Sequence, residues 1–343
     1  MTATSIAAGL VARTRAVDRP GDLLDAFSPD GFAWLTDGSG FVTGVDADGR
    51  AWRTEIGSTS PSSTSTAPAA TRFSVEGRVS RAEWASQVHA ILDAVAAGDL
   101  AKAVLAREVV VHADAPFDSR VVIDRLRATQ GGCVVFAADG LVGATPELLV
   151  RRQGASVTSR PMAGTIPRGA TDAGDSAAEA SLAASVKDGL EHRLVVDAVV
   201  DGLRAGGVDV AGVRGPDVAR LATVSHLATT ITGTVGPRSA RSALELALRL
   251  HPTPAVGGAP QDVALALLED LETFDRGRYA GPVGWVDAHG DGEWAVALRC
   301  AELEGSTARL VAGAGVVAGS DPDAEWAETQ AKLEPMLRVL VQP

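Results

Sequence analysis

Predicted strands come in two blocks along this chain, and each block is accompanied by helices. Turn residues separate the strands of the first block, which are Cys133–Ala137, Leu141–Gly143, Glu147–Arg151 and Ala155–Ser159. The second block comprises Gly284–Val286, Trp294–Leu303 and Ala308–Ala314. Two antiparallel meanders with separate helices predict an α+β fold, because a doubly wound sheet requires strict alternation of strands and helices.

Apolar periodicity predicts the helices. They are Ser80–Ala97, Val121–Thr129, Ala177–Gly206, Ala240–Leu250, Gln261–Leu271 and a last helix that starts at Asp321-Pro322. Ser80 is a suitable N-cap, and Glu83 stands at the capping-box position. Pro335 is expected to kink or end the last helix, because proline cannot donate the helical hydrogen bond.

The bulk properties are those of a globular protein. The chain has 343 residues with a net charge of −12, and 46% of the residues are hydrophobic. No basic block stands out, which argues against nucleic acid as a partner, and no apolar run is long enough to span a membrane. Cys133 and Cys300 lie in apolar runs, as expected of reduced core residues in a cytoplasmic protein.

The N-terminal part differs in composition from the rest. Residues 57–71 are rich in Ser, Thr and Pro, which predicts a mobile surface loop. Before this loop, residues 31–36 and 40–44 predict a hairpin around Asp37-Gly38. This part holds too few apolar residues for a core of its own. We therefore expect one domain over residues 1–343, with an N-terminal part at 1–75 and a core at 76–343.

Two acidic pairs share one spacing far apart in the chain. Asp188 and Glu191 form the first pair, and Glu325 and Glu328 form the second. Residues at i and i+3 lie on one face of a helix, so two facing helices would direct four carboxylates to one point. Carboxylate oxygens without neighbouring His or Cys suit a hard cation such as Mg²⁺. Solvated helix faces are the commoner explanation of such pairs, and the spacing alone leaves both explanations open.

Two further titratable residues lie at strand positions. Lys102 shares a strand face with Val104 and Ala106, where it either reaches solvent or is desolvated and becomes a usable base. Glu147 opens an apolar strand, where it is either a solvated carboxylate or a buried acid with a raised pKa that can donate a proton. The local sequence favours the solvated alternative for both residues.

Other residues suit the binding of an anion. Gly164 and Thr165 lie in a loop rich in Gly, Pro and Arg, where backbone amides can approach an anion closely. Arg299 lies inside a predicted strand, so it needs an anionic partner, and a substrate carboxylate would satisfy it. Further candidates are Ala255, Tyr279, Gly315 and Lys332.

A series of short motifs, in order along the chain, resembles the chorismate-utilising enzymes, a family that includes anthranilate, aminodeoxychorismate, salicylate and isochorismate synthases. The motifs are Lys102–Arg107, Ala144–Leu149, Arg160–Thr165, Lys187–His192, His226–Gly233, His251–Ala255, Tyr279–Gly284, Ala297–Arg299, Ala312–Gly315 and Glu325–Lys332. They cover roughly residues 80–340, and the first 75 residues match far less well. The resemblance implies two antiparallel sheets stacked face to face, with helices packed outside.

The resemblance also implies a site for the dianion chorismate. Glu191 and Glu328 would contact a Mg²⁺ ion directly, while Asp188 and Glu325 would hold its waters. The groups expected at the ring carboxylate are the ion, Gly164, Thr165 and Lys332. The groups expected at the enolpyruvyl carboxylate are Tyr279, Arg299 and the backbone of Gly315.

The family divides by its nucleophile. The resemblance assigns Lys102 as the general base that activates water for attack at ring C2, and Glu147 as the general acid that protonates the departing C4 hydroxyl. Ammonia-using and salicylate-forming members have Thr at the position of Ala255, and typical ammonia-using members lack Lys102. The expected product is therefore isochorismate, for menaquinone or siderophore synthesis, made by a monomer without a glutaminase subunit.

Three alternatives stay open at the level of sequence. A salicylate-forming enzyme would go on to eliminate pyruvate from isochorismate. An ammonia-using subunit of anthranilate or aminodeoxychorismate synthase would require ammonium or a glutaminase partner. A non-catalytic relative would bind chorismate without turning it over.

Overall fold

The protein is described by a computed structural model, which covers residues 70–341 apart from 170, 237–240 and 288, together with the backbone of four N-terminal strands. These strands are β1 (Leu10–Ala16), β2 (Leu35–Thr36), β3 (Phe41–Val45) and β4 (Ala51–Ser58). They form one antiparallel sheet in the order β1-β4-β3-β2. Leu35 pairs with Thr43, which confirms the predicted hairpin, whereas residues 59–69 of the predicted loop lie outside the described residues.

The remaining elements follow the predicted order of strands and helices. The helices are α1 (Arg81–Ala97), α2 (Ser119–Thr129), α3 (Asp172–Ala184), α4 (Val186–Ala205), α5 (Ala243–Leu250), α6 (Gln261–Leu271) and α7 (Pro322–Leu340). The strands up to residue 235 are β5 (Phe73–Gly77), β6 (Lys102–Ala113), β7 (Val134–Ala138), β8 (Leu141–Thr145), β9 (Leu148–Gln153), β10 (Ser156–Arg160), β11 (Met162–Pro167), β12 (Val208–Arg220) and β13 (Val224–Val235). The strands after it are β14 (Gly258–Ala259), β15 (Pro282–Val286), β16 (Gly292–Val296), β17 (Cys300–Glu304) and β18 (Thr307–Val317).

Two seven-stranded antiparallel sheets form the centre of the fold. Sheet 1 has the order β11-β13-β10-β9-β16-β15, with β12 also paired to β13. Sheet 2 has the order β14-β6-β18-β17-β8-β7, with β5 also paired to β6. Phe136 and Leu141 of sheet 2 share one apolar cluster with Val283 and Ala295 of sheet 1. The predicted stack of two antiparallel sheets is confirmed.

Helices cover the outer faces of both sheets. Val195 of α4 packs with Ile231 of sheet 1 in one core cluster. Met336 of α7 packs with Leu310 of sheet 2 in a second cluster, and α1 and α6 cover another part of sheet 2. Each helix buries one apolar face in this way, as the periodicity of its sequence predicts.

Each predicted meander is divided between the two sheets. In the first block the chain leaves sheet 2 after β8 and enters sheet 1 at β9, and it passes through Glu147 on the way. In the second block it leaves sheet 1 after β16 and enters sheet 2 at β17. Arg299 lies in that second passage with a φ of 51°. The prediction that Arg299 lies inside one strand, Trp294–Leu303, is therefore wrong.

The long helix predicted for Ala177–Gly206 is two helices that meet at Ser185. Its hydroxyl accepts a hydrogen bond from the backbone N–H of Asp188 at 3.1 Å and so caps α4. Serine competes with the helical backbone for hydrogen bonds, which favours a cap over a helix interior. As a consequence, Asp188 and Glu191 lie in the first turns of a new helix.

The last helix begins as predicted and continues past Pro335. Asp321 accepts a hydrogen bond from the backbone N–H of Ala324 at 2.9 Å, and Pro322 is the first helical residue. Pro335 does not end α7, which continues to Leu340 with Pro335 buried on its inner face.

Candidate active site

A cleft of ≈ 620 Å³, part of it open to solvent, lies beside the two passages between the sheets. The predicted site residues that line it are Glu147, Gly164, Thr165, Glu191, Ala255, Tyr279, Arg299, Gly315 and Lys332. Lys102, Asp188, Glu325 and Glu328 are not among the lining residues.

Lys102 lies behind the wall of the cleft, where it is fully buried. Its Nζ is 2.9 Å from Oε1 of Glu191. Gly315 packs closely against the pair: a Cβ at this position would overlap the Glu191 carboxylate and lie 2.9 Å from Cε of Lys102. Lys102 is therefore desolvated, and the alternative in which its side chain reaches solvent does not hold.

Glu147 is 4% exposed at the first passage between the sheets. Burial raises the pKa of Glu147 to about 7, against the opposing effect of the nearby Lys102 charge. A carboxyl group with this pKa is partly protonated near neutral pH and can donate a proton, whereas a solvated carboxylate cannot. The solvated alternative does not hold for Glu147 either.

Three glutamates of the acidic pairs each meet a lysine. Glu191 contacts Lys102, as described above. Nζ of Lys187 is 2.6 Å from Oε1 of Glu325. Glu328 pairs with the lysine one turn later, Lys332, at 2.5 Å, as its spacing predicts. Lys187 was missed in the sequence because a lysine at a helix start has no distinctive pattern.

Carboxylates from α4 and α7 act together on the ammonium group of Lys187. Burial lowers the pKa of Lys187, but the charges of Glu325, Glu328 and Glu191 outweigh it and raise the pKa above its ordinary value. Burial and the adjacent charge of Glu328 raise the pKa of Glu325. An ammonium group thus stands where negative charge from α4 and α7 converges.

The donor set fits a hard divalent cation. All four predicted ligands are carboxylates, Glu325 is 1% exposed, and mutual repulsion between two of them would be relieved by a positive ion. Within residues 70–341 as described, no three carboxylate, imidazole or thiol groups already form a cage. A bound ion would therefore have to displace the lysine ammonium groups from these carboxylates.

Asp188 of α4 packs against Gly164 of β11. A Cβ at Gly164 would lie 3.0 Å from Cβ of Asp188, and Gly164 has a φ of +76°. Only glycine accommodates both this conformation and this approach. The close contact places the first turn of α4 against Gly164, which lines the cleft.

Arg299 is the anion-binding candidate that lines the cleft from the second passage between the sheets. It forms no ion pair with any carboxylate among the residues described in the structure. Its Nη2 donates a hydrogen bond to Nε2 of His226 at 3.0 Å. Beside it, the hydroxyl of Tyr279 accepts a hydrogen bond from the backbone N–H of Gly313 at 3.0 Å. A carboxylate bound in the cleft would supply a negative charge to pair with the Arg299 guanidinium.

His226 is a site residue that the sequence interpretation did not single out. Because arginine only donates, Nε2 of His226 must accept, and the proton therefore lies on Nδ1. Nδ1 is 3.0 Å from Oγ1 of Thr165 and 3.3 Å from the carbonyl oxygen of Gly164. Burial and the charge of Arg299 hold the pKa of His226 well below its usual range, so the ring is neutral. The motif His226–Gly233 was the only signal for it.

Ala255 lines the cleft from a loop that is held against β6. Arg276 donates hydrogen bonds to the carbonyl oxygens of Val256 at 2.7 Å and Val104 at 2.6 Å. A methyl side chain at 255 brings no polar group into this part of the cleft.

The sequence matches the profile of the chorismate binding enzyme family over residues 47–341. The chain belongs to this family. The described helices include none that is long and apolar enough to cross a membrane.

Among its relatives, the isochorismate synthase DhbC of Bacillus subtilis is 42% identical over 257 residues, which are 72% of this chain and 64% of that protein. The isochorismate synthase EntC of Escherichia coli K12 is 42% identical over 243 residues, 69% of this chain and 62% of that protein. The chain thus spans somewhat less than two thirds of the length of these two relatives.

Two solved structures share the fold. MenF, the menaquinone-specific isochorismate synthase from Escherichia coli, superposes with a TM-score of 0.71 and 28% identity over 88% of this chain and 74% of that chain. Anthranilate synthase component I from Streptococcus pneumoniae superposes with a TM-score of 0.66 and 27% identity over 79% of this chain and 61% of that chain.

Proposed function

We propose that this protein is a Mg²⁺-dependent isochorismate synthase, which converts chorismate to isochorismate. The observation that carries the proposal is that the site holds both a buried amine, Lys102, and a buried acid, Glu147, whose pKa is raised to about 7. Water addition at one ring carbon and loss of hydroxyl from another require one base and one acid. The names of DhbC, EntC and MenF support the same activity.

The cleft would hold the two substrate carboxylates at opposite ends. Arg299, Tyr279 and the backbone of Gly315 would hold the enolpyruvyl carboxylate. Gly164 and Thr165, with Lys332, would hold the ring carboxylate. Two fixed ends orient the ring between base and acid, which removes much of the entropic cost of reaction.

Lys102 would act as the general base. As water attacks C2, its proton passes to the neutral amine of Lys102 while the ring double bonds shift toward C4. An ammonium group cannot accept a proton, so Lys102 would first have to pass a proton to an acceptor such as the Glu191 carboxylate, 2.9 Å away. Glu147 then donates its proton to the C4 hydroxyl, which leaves as water, and the net reaction is an isomerisation.

A bound Mg²⁺ ion would supply positive charge at the ring carboxylate, held by Glu191 and Glu328 with Asp188 and Glu325 around its waters. The carboxylate donor set and the convergence of its charges support this assignment. The direct test is incubation of the protein with chorismate and Mg²⁺, followed by chromatography of the products. Isochorismate as the sole product is expected.

Three other activities would give different results. Salicylate with pyruvate would show a salicylate-forming enzyme, and a product formed only with ammonium would show an anthranilate or aminodeoxychorismate synthase. Chorismate binding without any product would show a non-catalytic relative. Ala255 favours water over ammonia as nucleophile. The menaquinone or siderophore pathway, the cytoplasmic location, the monomeric state and the lack of a glutaminase partner stay predictions.

A further inference from the structure

Arg107 is a buried arginine that has no carboxylate partner among the residues described in the structure. It lies on β6 and is 2% exposed. It takes part in none of the ion pairs formed within the described part of the chain. Burying a charge in this way is costly unless hydrogen bonds compensate. The contacts that the Arg107 guanidinium does make therefore indicate its role.

All of these contacts are to one helix, α7. Nε of Arg107 donates a hydrogen bond to Oγ1 of Thr329 at 2.7 Å, and Nη2 donates another to Oε1 of Gln330. The guanidinium also lies over the ring of Trp326, with Cζ 4.0 Å from the ring centroid. Thr329 in turn donates to the carbonyl oxygen of Trp326 at 2.7 Å. One planar group thus holds three positions on one side of the helix.

The same turns of α7 carry two of the proposed metal ligands. Glu325 directly precedes Trp326, and Glu328 directly precedes Thr329. Neighbouring helical residues differ by about 100° in direction, so fixing one set of side chains fixes the other. β6 also begins with Lys102, the proposed base. One strand therefore carries both the base and the contact that orients the carboxylate helix.

We propose that Arg107 is a positioning residue for the divalent-cation site, which sets the rotation of α7 so that Glu325 and Glu328 face Glu191. This inference rests on the proposed Mg²⁺ site. Lysine could not replace Arg107, because an ammonium group lacks the planar fork that stacks on Trp326 and donates to two neighbours at once.

The test is calorimetric titration of the full chain with Mg²⁺ alone. Arg107→Met is expected to raise the dissociation constant for Mg²⁺ by about tenfold or more, as for other residues that orient metal ligands. The matched control is Arg125→Met, because Nη1 of Arg125 donates to the carbonyl oxygen of Val339 at 2.9 Å near the other end of α7. The control is expected to lower the melting temperature but to leave Mg²⁺ binding unchanged.

Enzyme assays add a second readout. In Arg107→Met the Mg²⁺ concentration for half-maximal rate should rise, while KM for chorismate at saturating Mg²⁺ stays at the wild-type value. If Arg107→Met does not fold, Thr329→Val tests the same contact and should shift Mg²⁺ binding in the same direction. Wild-type Mg²⁺ affinity in a folded variant would reject the positioning role alone. Lack of Mg²⁺ binding by the wild type would reject the metal site, and this inference with it.

Discussion

Glu147 and Arg299 lie side by side on the two passages that join the sheets. The backbone N–H of Val296 donates to the carbonyl oxygen of Glu147 at 3.1 Å, and the N–H of Ala144 donates to that of Arg299 at 3.1 Å. The proposed acid and the proposed carboxylate-binding arginine are thus fixed relative to each other by main-chain hydrogen bonds. Substituting either side chain should leave the other in place, which makes single substitutions informative.

Glu147→Gln should reduce the turnover number by roughly 10²- to 10⁴-fold, the usual contribution of a general acid. Chorismate binding should be retained, because the amide occupies the same volume. In the wild type, the acid form is lost as pH rises through a pKa of about 7, so this group should make the rate fall on the alkaline side. Rate profiles against pH for both proteins check this: a Gln variant with wild-type turnover would remove the general-acid assignment.

The same substitution should change how stability depends on pH. The pKa of Glu147 is raised from 4.5 to about 7 in the folded protein. The folded state therefore binds the proton more tightly, and stability is lost as pH rises between these values. The loss is at most roughly 3 kcal/mol. Thermal melts should show Glu147→Gln gaining stability over the wild type above this range and little below it.

A matched control for the melts is Glu293→Gln. Glu293 is also buried, but it accepts a hydrogen bond from Nε of Arg151 at 2.5 Å. The amide oxygen of Gln can still accept this hydrogen bond but carries no charge, so Glu293→Gln removes the ion pair with Arg151 and should destabilise the protein at alkaline pH. Equal effects of the two variants would show that the Glu147 carboxylate, like that of Glu293, is stabilised by a charged partner.

The sequence predicted the elements better than their connections. The capping residues Ser80 and Glu83, and Asp321 before Pro322, mark helix starts by local chemistry, and α1 and α7 begin there. The division of the meanders between two sheets was not predictable, because neither passage has a local signal. Arg299 was placed in a strand for that reason.

The site, too, was predicted from the sequence only in part. Nine of the thirteen predicted site residues line one cleft, yet the motifs did not reveal the partners of these residues. The hydrogen bond of His226 to Arg299 and the ion pair of Lys187 with Glu325 depend on tertiary neighbours. Lys102 and Glu147 are buried in the structure, which excludes the solvated alternative for both. Burial of a polar residue cannot be predicted from the residues next to it in sequence.

Lys102→Ala should slow the conversion of chorismate by roughly 10²- to 10⁴-fold or more, because the proposed general base is removed. Glu191 would lose its ion-pair partner, so melting temperature must be followed in parallel. Calorimetry on Lys102→Ala should still show chorismate binding. Turnover of this variant near the wild-type rate would remove the general-base assignment, whatever the effect on stability.

Chelation should stop the reaction. EDTA is expected to abolish turnover, and added Mg²⁺ should restore it, because an ion is proposed at Glu191 and Glu328. Mg²⁺ should also raise the melting temperature, since a ligand that binds only the folded state stabilises it. Glu328→Gln should weaken that stabilisation. Full activity in EDTA together with an unchanged melting temperature would contradict the carboxylate site.

Gly315→Ala tests the geometry of the base most sharply. The added methyl group would overlap the Glu191 carboxylate and lie 2.9 Å from Cε of Lys102, so one of the two side chains must move. Turnover should fall more than about tenfold, because a base misplaced by an ångström loses most of its effect. Gly131→Ala is the control, since a Cβ there meets no atom within 4 Å. Equal activity of both variants would show that the Lys102–Glu191 pair has room to rearrange and that its position is not what the reaction depends on.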